Sequence, residues 1–449
     1  MNYIKQPDEI KIMFINPDYI SGFNSYKKNS ILNHGLLQIA TCAQKAGFDV
    51  TFVDTRMLKN WKDLESTISR AHPDVVATGG MSVNFGWALK CIDIAKKIDP
   101  AIITVIGGVH ASIRPDEALS KDEIDHIITG EGEISFIGLI QNLFIHRVKQ
   151  PRLINGQKPE LDELPFINRS FLPYFELNNP IWFGKKPWIT IIAGRGCPYK
   201  CKFCQPSENI LFGTGVRIRS PENVIAEVIE LQEKYSFDYV HFHDDCPTFS
   251  KKWIEDFCEK YVDAGFTQNF AVAARADILC KNEDMISILA RAGCDTVSIG
   301  FESGSQRILD FLGKGTTVEQ NIKSAELCHK YGIKIVANYM FGVPIETLDD
   351  VRATLEMLDK IKPDYRSPAY FTPYPGTYLY DYCAEKNISL LQEYKDFNRY
   401  PDSHKIKGID YKSIEKLRME YGDLGKNRYI LHSIVKEYQH IKRGILNQG

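Results

Sequence analysis

The chain has no excess of charge of either sign and no long apolar run. Its 55 Lys and Arg residues nearly balance its 57 Asp and Glu residues, and both signs are interspersed along the chain. Nucleic acids and membrane surfaces attract strongly basic patches, so this balance argues against both partners and favours a small-molecule substrate. No apolar segment approaches the roughly 20 residues that span a bilayer. The polar start MNYIKQPDEI also lacks the basic-then-apolar pattern of a signal peptide, and we expect a soluble, cytoplasmic protein.

Short internal repeats and low-complexity tracts are also missing, and most of the 11 cysteines are scattered without close pairing. Because the cytoplasm keeps thiols reduced, we expect no disulfide framework. A tight group of cysteines in such a chain indicates metal binding or catalysis instead.

Residues 1–150 alternate short apolar runs with amphipathic helical segments. Segments such as GLLQIATCAQKAG carry apolar residues at every third and fourth position, which is typical of helices that cover a sheet. The pattern predicts a doubly wound, Rossmann-like α/β domain. Residues 151–185, rich in Pro, Asn and Gly, are predicted to be a linker. The five runs that read as buried parallel strands are residues 10–16, 49–54, 74–80, 103–108 and 126–130.

The alternation resumes over residues 186–380 with a different signature. Each predicted strand is apolar in its body and turns polar or rich in Gly and Pro at its carboxyl end, where barrel folds place their chemistry. We therefore predict a partial (β/α)6 barrel. Residues 381–449 are charged and helix-periodic, and we expect a helical C-terminal extension that closes the open side of the barrel. The six strand candidates are residues 188–194, 239–245, 270–277, 296–303, 333–344 and 367–376.

The most specific feature is a group of three cysteines, Cys197, Cys201 and Cys204, in a glycine-flanked loop after the first barrel strand. Three thiolates can hold one metal centre, with one ligand fewer than a closed site needs. Structural zinc usually takes four ligands, and no second Cys or His pair has the usual spacing. An iron–sulfur cluster on three cysteines leaves one iron open to an exogenous ligand. The spacing favours a cluster, with zinc or unliganded thiols as alternatives.

This Cys-x-x-x-Cys-x-Phe-Cys segment resembles the hallmark of the radical S-adenosylmethionine (SAM) superfamily. The resemblance implies a 4Fe-4S cluster whose open iron is chelated by SAM. It also implies that one electron splits SAM and yields a 5′-deoxyadenosyl radical, which abstracts hydrogen from an inert carbon. A flavodoxin- or ferredoxin-type protein is the electron donor that such an enzyme implies.

Other residues match family positions that bind SAM. Phe203 matches the aromatic residue near the adenine, and Asp244 and Asp245 match the acidic position that binds the ammonium group. Arg275 and Glu302 resemble the contacts to the carboxylate and the ribose. The two aspartates alternatively form an acidic turn or, with the histidines beside them, a small metal site.

Two segments depart from familiar patterns. Residues 342–347 resemble the family's Gly-x-Pro-Gly-Glu-Thr segment near the adenine, but Ile345 replaces the second glycine. Residues 313–316 lack the full Walker spacing of a phosphate-binding loop, so we predict a solvated loop there.

Glycine-rich strand ends in the N-terminal domain resemble those of the cobalamin-binding domain fused to many radical SAM enzymes. The matching segments are residues 106–112 and 128–133. Paired glycines at adjacent strand ends let a large flat ligand approach the backbone, although they equally suit tight turns. No Asp-x-His-x-x-Gly segment is present to supply an imidazole below cobalt. The residues expected to line the cobalamin site are Ser82, Asn84, Gly107, Gly108, His110, Gly130 and Glu131.

Together the two resemblances imply a radical SAM enzyme, in the commonest version a cobalamin-dependent methyltransferase. Its target would be an unactivated carbon of a small molecule or natural-product intermediate. An enzyme of the same fold that catalyses dehydration, rearrangement, cyclisation or oxidation is the main alternative. A cobalamin-binding sensor with a structural cluster is a weaker one. The sequence does not identify the substrate, because fold-level similarity does not carry that information.

Overall fold

A computed structural model of the protein describes residues 5–25, 31–172, 187–399 and 404–423. These described residues form two six-stranded sheets and one two-stranded pair. Across the described ranges, no helix combines the length and the apolar character that crossing a lipid bilayer requires.

The first sheet is entirely parallel, with the order β2-β1-β3-β4-β5-β6. The strand order reverses between β1 and β3. In open α/β sheets, ligands bind in the crevice beyond the carboxyl ends of the strands at such a reversal. The strands are β1 (Lys11–Asn16), β2 (Asp49–Asp54), β3 (Val75–Gly79), β4 (Ile103–Gly107), β5 (His126–Thr129) and β6 (Leu153–Asn155).

Helices cover both faces of this sheet. Ile12 and Phe14 of β1 point into one apolar core, and Met13 and Ile15 point into the core on the other face. Side chains alternate between faces along a strand, so a strand covered on both faces needs a continuous apolar run. The helices are α1 (His34–Lys45), α2 (Trp61–Ala71), α3 (Ser82–Ile98), α4 (Gly108–Ile113), α5 (Pro115–Leu119) and α6 (Glu133–Ile140).

The second sheet is also entirely parallel, and its strands follow one another in chain order. It is an open half-barrel that runs from β7 to β14, and β8 and β9 form a separate short antiparallel pair. The predicted fold class is confirmed. The strands are β7 (Trp188–Ile191), β8 (Gly194–Arg195), β9 (Arg217–Ile218), β10 (Tyr239–Phe242), β11 (Asn269–Ala274), β12 (Cys294–Glu302), β13 (Lys334–Phe341) and β14 (Tyr365–Tyr370).

Helices cover the outside of the half-barrel, and several of them begin at capping residues that can be recognised in the sequence. Ser220 caps α8 through a hydrogen bond from the backbone N–H of Asn223, and Thr347 and Asp350 form a capping box at α14. The helices are α7 (Ser207–Phe212), α8 (Pro221–Lys234), α9 (Lys251–Asp263), α10 (Ala276–Lys281), α11 (Glu283–Arg291), α12 (Gln306–Leu312), α13 (Val318–Lys330), α14 (Leu348–Ile361), α15 (Tyr378–Glu385) and α16 (Tyr411–Glu420).

The chain departs from the sequence-based expectation in two places. The short edge strand β6 lies inside the predicted linker, where three residues among Pro, Asn and Gly gave no strand signal. In the predicted helical extension, residues 386–399 and 404–410 are mostly irregular, and α16 packs against α14. Residues 173–185 of the predicted linker and residues 400–403 and 424–449 of the extension lie outside the described residues. The domain boundaries at 150, 185 and 380 stay predictions.

Candidate functional site

The three motif cysteines lie in one loop between β8 and α7. Gly196 opens the loop with a φ of +90°, and a Cβ atom there would lie 2.5 Å from the carbonyl oxygen of Gly215. Glycine is therefore required at this turn. The backbone N–H groups of Cys204 and Gln205 both donate to the carbonyl oxygen of Cys201, at 3.0 and 2.8 Å, and fix the end of the loop.

The thiols of this loop differ in burial and acidity. Burial raises the pKa of Cys201 and of Cys204, whereas a hydrogen bond from Cys246 lowers the pKa of Cys197 to about 6. All 11 cysteines are free thiols. Within the described residues, no three potential ligands already stand in a metal-binding arrangement. Cys246, which supplies the hydrogen bond to Cys197, follows β10 and is buried.

A buried polar network connects Cys201 with the carboxyl end of β12. Arg275 Nη1 lies 3.6 Å from Cys201 Sγ, and its Nη2 donates to the backbone carbonyl of Lys314 at 2.7 Å. Asp277 Oδ1 accepts from Arg275 Nε at 2.9 Å. Lys314 Nζ in turn lies 2.8 Å from Glu302 Oε1. All five side chains are buried, so their charges act with little solvent screening.

This network changes the interpretation of three predicted residues. The solvated loop predicted at residues 313–316 is wrong, because Lys314 is buried and pairs with Glu302. Gly313 ends α12 in the left-handed conformation, with a φ of +63°, and turns the following lysine inward. Arg275 and Glu302 lie at the predicted strand ends but bind protein partners in this structure, and neither lines the cavity.

Glu302 is also held in an unusual backbone conformation. Its φ is +63°, in the region that favours glycine, and the pairing between β12 and β13 shifts register between Gly300 and Glu302. A side chain at Gly300 would lie 2.5 Å from the Glu302 carboxylate. Such strain persists only where surrounding contacts impose it and is concentrated at functional sites.

The two aspartates after β10 have different roles. Asp244 is buried, and its Oδ1 accepts hydrogen bonds from the backbone N–H groups of Ala193, at 2.9 Å, and Gly194. Its Oδ2 has no partner among the described residues. Asp245 lies on the wall of a large cavity. Burial raises the pKa of both carboxyl groups, that of Asp244 to about 7. Asp245 is the one that can reach a ligand.

The raised pKa of Asp244 makes the stability of the protein depend on pH. A carboxyl group with a higher pKa in the folded than in the unfolded chain stabilises the fold at low pH, and the contribution is lost as pH rises toward 7. We expect Asp244→Asn to reduce the loss of stability between pH 4 and pH 8 by roughly 3 kcal/mol. Urea unfolding of the wild type and the variant at the two pH values measures this difference in stability. An equal loss of stability in both proteins would contradict the prediction.

Glu208, in the first turn of α7, is a site residue that the sequence did not indicate. It lines the cavity, half-buried, and its Oε2 has no partner among the described residues. Burial, the nearby Asp245 carboxylate and the Cys197 thiolate raise the pKa of Glu208 to about 8. Only its position, four residues after Cys204, could have suggested from the sequence that Glu208 belongs to the site.

The cavity joins the cysteine loop to the crevice of the first sheet. Its volume is about 1200 Å³, larger than most small-molecule pockets. Phe203, Cys204 and Asp245 line one side, and the opposite side is formed by residues that follow β1, β3, β4 and β5. The residues predicted around cobalamin that line it are Ser82, Asn84, Gly107, Gly108, Gly130 and Glu131.

The glycines at these strand ends let the backbone segments pack closely. A Cβ atom at Gly79 would lie 2.5 Å from the carbonyl oxygen of Gly107. Gly108 has a φ of +83°, and a Cβ atom there would lie 2.8 Å from the backbone nitrogen of Gly80. His110 was predicted to line the site, but its side chain does not reach the cavity. It is 1% exposed and lies beneath Ser82.

Glu131 connects the two halves of the molecule. Its Oε2 lies 2.5 Å from Nη1 of Arg195, and its Oε1 pairs with Arg217. Arg195 also reaches Glu133, with Nη2 2.6 Å from Oε1. Both arginines belong to the β8–β9 pair beside the cysteine loop. Glu131 was predicted as a cobalamin contact, but its carboxylate is occupied by these ion pairs.

We expect Glu131→Gln to lower the free energy of unfolding by about 3 kcal/mol, because a buried ion pair that loses one partner leaves uncompensated charge. The matched control is Glu230→Gln, which removes the exposed Lys234–Glu230 pair. Exposed pairs contribute about 1 kcal/mol or less. Urea unfolding of the three proteins measures the difference. Equal losses in the two variants would contradict the bridging role.

The residues present fit the cofactors that the sequence resemblance implies. Three thiols in one loop, with a guanidinium beside Cys201, form the donor set of an iron–sulfur cluster. The Asp245 carboxylate and the Phe203 ring face the cavity and suit the ammonium and adenine groups of SAM. The large cavity above glycine-rich strand ends has room for a flat macrocycle.

Two protein families match the chain. A family described as the radical SAM superfamily matches residues 191–358, and a B12 binding domain matches residues 28–140. The chain is 29% identical over 372 residues to an uncharacterized methyltransferase of Pyrococcus horikoshii, covering 80% of this chain and 79% of that protein. It is 27% identical over 410 residues to the anaerobic magnesium-protoporphyrin IX monomethyl ester cyclase of Rubrivivax gelatinosus, covering 87% and 72%.

A solved structure shares the fold over nearly the whole chain. The cobalamin-dependent SAM radical enzyme OxsB, with aqua-cobalamin and SAM bound, superimposes with a TM-score of 0.73 at 17% sequence identity. The superposition covers 97% of this chain and 71% of OxsB.

Proposed function

Because the chain belongs to the radical SAM enzymes that carry a cobalamin-binding domain, we propose that it methylates an unactivated carbon of a small molecule. Its cofactors are a 4Fe-4S cluster, SAM and cobalamin. When bound, they supply a 5′-deoxyadenosyl radical for hydrogen abstraction and a methyl group for the resulting carbon radical.

The cavity between the cysteine loop and the first sheet supports this proposal. Cys204 and Asp245 open onto the same space as Ser82 and Gly108, so a substrate there meets the radical-generating side and the cobalamin side at once. Methyl transfer needs both reagents at one carbon atom, and holding reactants in one shielded space lowers the entropic cost of their meeting.

The side chains of this chain have positioning roles in the proposal. Asp245 binds the SAM ammonium group, and Phe203 packs against the adenine. Arg275 donates to the Cys201 sulfur, and hydrogen bonds to cluster sulfurs tune the reduction potential. Lys314 holds the Glu302 carboxylate in place at the end of β12.

Radical cyclisation or oxidation is the second candidate function. The likeness to the Rubrivivax gelatinosus cyclase favours it, whereas the likeness to the Pyrococcus horikoshii methyltransferase favours methyl transfer. A small-molecule substrate suits both, and the identity of that substrate follows from neither.

Product analysis tests the proposal. The protein is reconstituted without oxygen with iron, sulfide and cobalamin, reduced, and supplied with SAM carrying an isotope-labelled methyl group. Methyl transfer predicts S-adenosylhomocysteine beside 5′-deoxyadenosine, and label on the cobalamin. 5′-Deoxyadenosine alone, from protein that contains cobalamin, would favour the second candidate. Cobalamin binding without any SAM cleavage would favour a sensor.

We also propose that a flavodoxin- or ferredoxin-type protein supplies the electron and that the enzyme works in the cytoplasm. Free cysteine thiols suit a reducing compartment. The test is whether reduced flavodoxin replaces a chemical reductant in the SAM cleavage assay. No cleavage with any protein donor would contradict it.

A further inference from the structure

We propose that His110, oriented by Glu117, is a positioning residue that turns the Ser82 hydroxyl into a hydrogen-bond acceptor on the cobalamin side of the cavity. His110 Nδ1 lies 3.0 Å from Ser82 Oγ, and His110 Nε2 lies 3.5 Å from Glu117 Oε2. Ser82 lines the cavity and His110 does not. The three residues come from α3, α4 and α5, and they form one row that leads away from the cavity wall.

The sequence of carboxylate, imidazole and hydroxyl in this row sets which group donates each proton. An ionised carboxylate only accepts, so the imidazole nitrogen beside Glu117 carries the proton. His110 Nε2 is buried and makes no hydrogen bond of normal geometry with a described residue, so the Glu117 carboxylate at 3.5 Å is the acceptor towards which its proton is drawn. Nδ1 is then the acceptor, and the Ser82 hydroxyl donates its proton to it. Ser82 lines the cavity, so the lone pairs left on its Oγ are available to a ligand there.

The surroundings keep the imidazole neutral and fixed. Burial lowers the pKa of His110, and the Glu117 carboxylate opposes this shift without cancelling it. The ring packs against Phe85 at 4.0 Å and edge-on to Tyr394 at 5.6 Å between centroids. Tyr394 donates its hydroxyl proton to the second oxygen of Glu117. Arg114, the other charged residue nearby, pairs with Glu117 at 3.7 Å.

An acceptor at Ser82 recognises a ligand group that donates a proton. Primary carboxamides, which surround the corrin ring of cobalamin, offer N–H donors of this kind, whereas a carboxylate at the same place would meet the serine oxygen with like partial charge. The inference rests on cobalamin as the cofactor and adds a named contact: one peripheral carboxamide held by Ser82.

Equilibrium binding of hydroxocobalamin tests the inference without any enzymatic turnover. Absorbance titration of the full-length protein gives Kd for the wild type, Ser82→Ala, His110→Phe and the double variant. We expect each single variant to bind roughly tenfold more weakly, the effect of one buried hydrogen bond. We expect the double variant to bind no more weakly than the singles, because the residues act as one unit. Ser82→Thr, which keeps the hydroxyl, should bind like the wild type.

The cobalamin monocarboxylic acids identify the contact. Among these analogues, each with one carboxamide hydrolysed, we expect the wild type to reject one isomer most strongly and Ser82→Ala to lose that preference. Unchanged binding in Ser82→Ala, or additive losses in the double variant, would overturn the positioning role alone. A wild type that binds no cobalamin would overturn the cofactor assignment together with it. Unfolding midpoints confirm that each variant is folded.

Discussion

Replacing Cys201 with alanine removes the bound iron and abolishes reductive cleavage of SAM. Cys201 is the middle residue of the loop, is buried, and receives the Arg275 guanidinium at 3.6 Å. Iron–sulfur clusters are held by cysteine thiolates, and two remaining cysteines cannot retain a cluster with only one open iron. Iron and sulfide content after oxygen-free reconstitution, together with the yield of 5′-deoxyadenosine, measures the effect.

The matched control is Cys280→Ala. Cys280 is a free, half-buried thiol in α10 of the same half-barrel, and its Sγ donates to the backbone carbonyl of Gln320. We expect this variant to keep its iron and its activity. If Cys201→Ala retains as much iron as Cys280→Ala, the assignment of the cysteine loop as the cluster site is wrong.

Replacing Lys314 with methionine lowers the free energy of unfolding by about 4 kcal/mol. The Lys314 and Glu302 side chains are 8% and 11% exposed, and methionine fills similar space without a charge. The Glu302 carboxylate then stays buried without its counter-ion, at a residue already held in a strained backbone conformation. Urea unfolding of the variant and of the wild type measures the loss.

A double variant separates charge from packing. Adding Glu302→Gln to Lys314→Met removes the unpaired charge, so we expect it to restore most of the lost stability. The surface control is Lys330→Met, which breaks the exposed Lys330–Glu283 pair and should cost about 1 kcal/mol or less. A double variant as unstable as Lys314→Met would show that the lysine stabilises the site by packing rather than by charge.

The two parallel sheets could be predicted because most of their strands are largely buried on both faces. Few arrangements other than a parallel sheet covered by helices can bury continuous apolar runs that alternate with helices. All 11 predicted strands are present, with ends that differ by up to six residues. The strands β6, β8 and β9 were missed, since two or three residues carry no periodic signal. The irregular segments 386–399 and 404–410 were missed because their charged residues mimic a helical pattern.

The motifs of the site could be predicted from the sequence, but the roles of several of its side chains could not. The cysteine loop and the glycine-rich strand ends could be identified in the sequence, because the spacing of residues along the chain determines whether neighbouring side chains can share a ligand. Asp244 and Asp245 were indistinguishable in the sequence, yet one binds backbone N–H groups and the other faces the cavity. The inward turn of Lys314 depends on Gly313, and nothing local indicates that a carboxylate twelve positions earlier is its partner.

The sequence by itself determined the fold class and the thiolate loop, because each rests on short-range spacing or on the period of apolar residues, and its resemblance to a known family implied the cofactor set. Only the tertiary structure decided which charges meet. Glu131 pairs with arginines more than sixty positions away, and Ser82, His110 and Glu117 form a row from three separate helices. The physical reason is that electrostatic and hydrogen-bond partners are chosen by distance in space, which the packing of two sheets around one cavity sets.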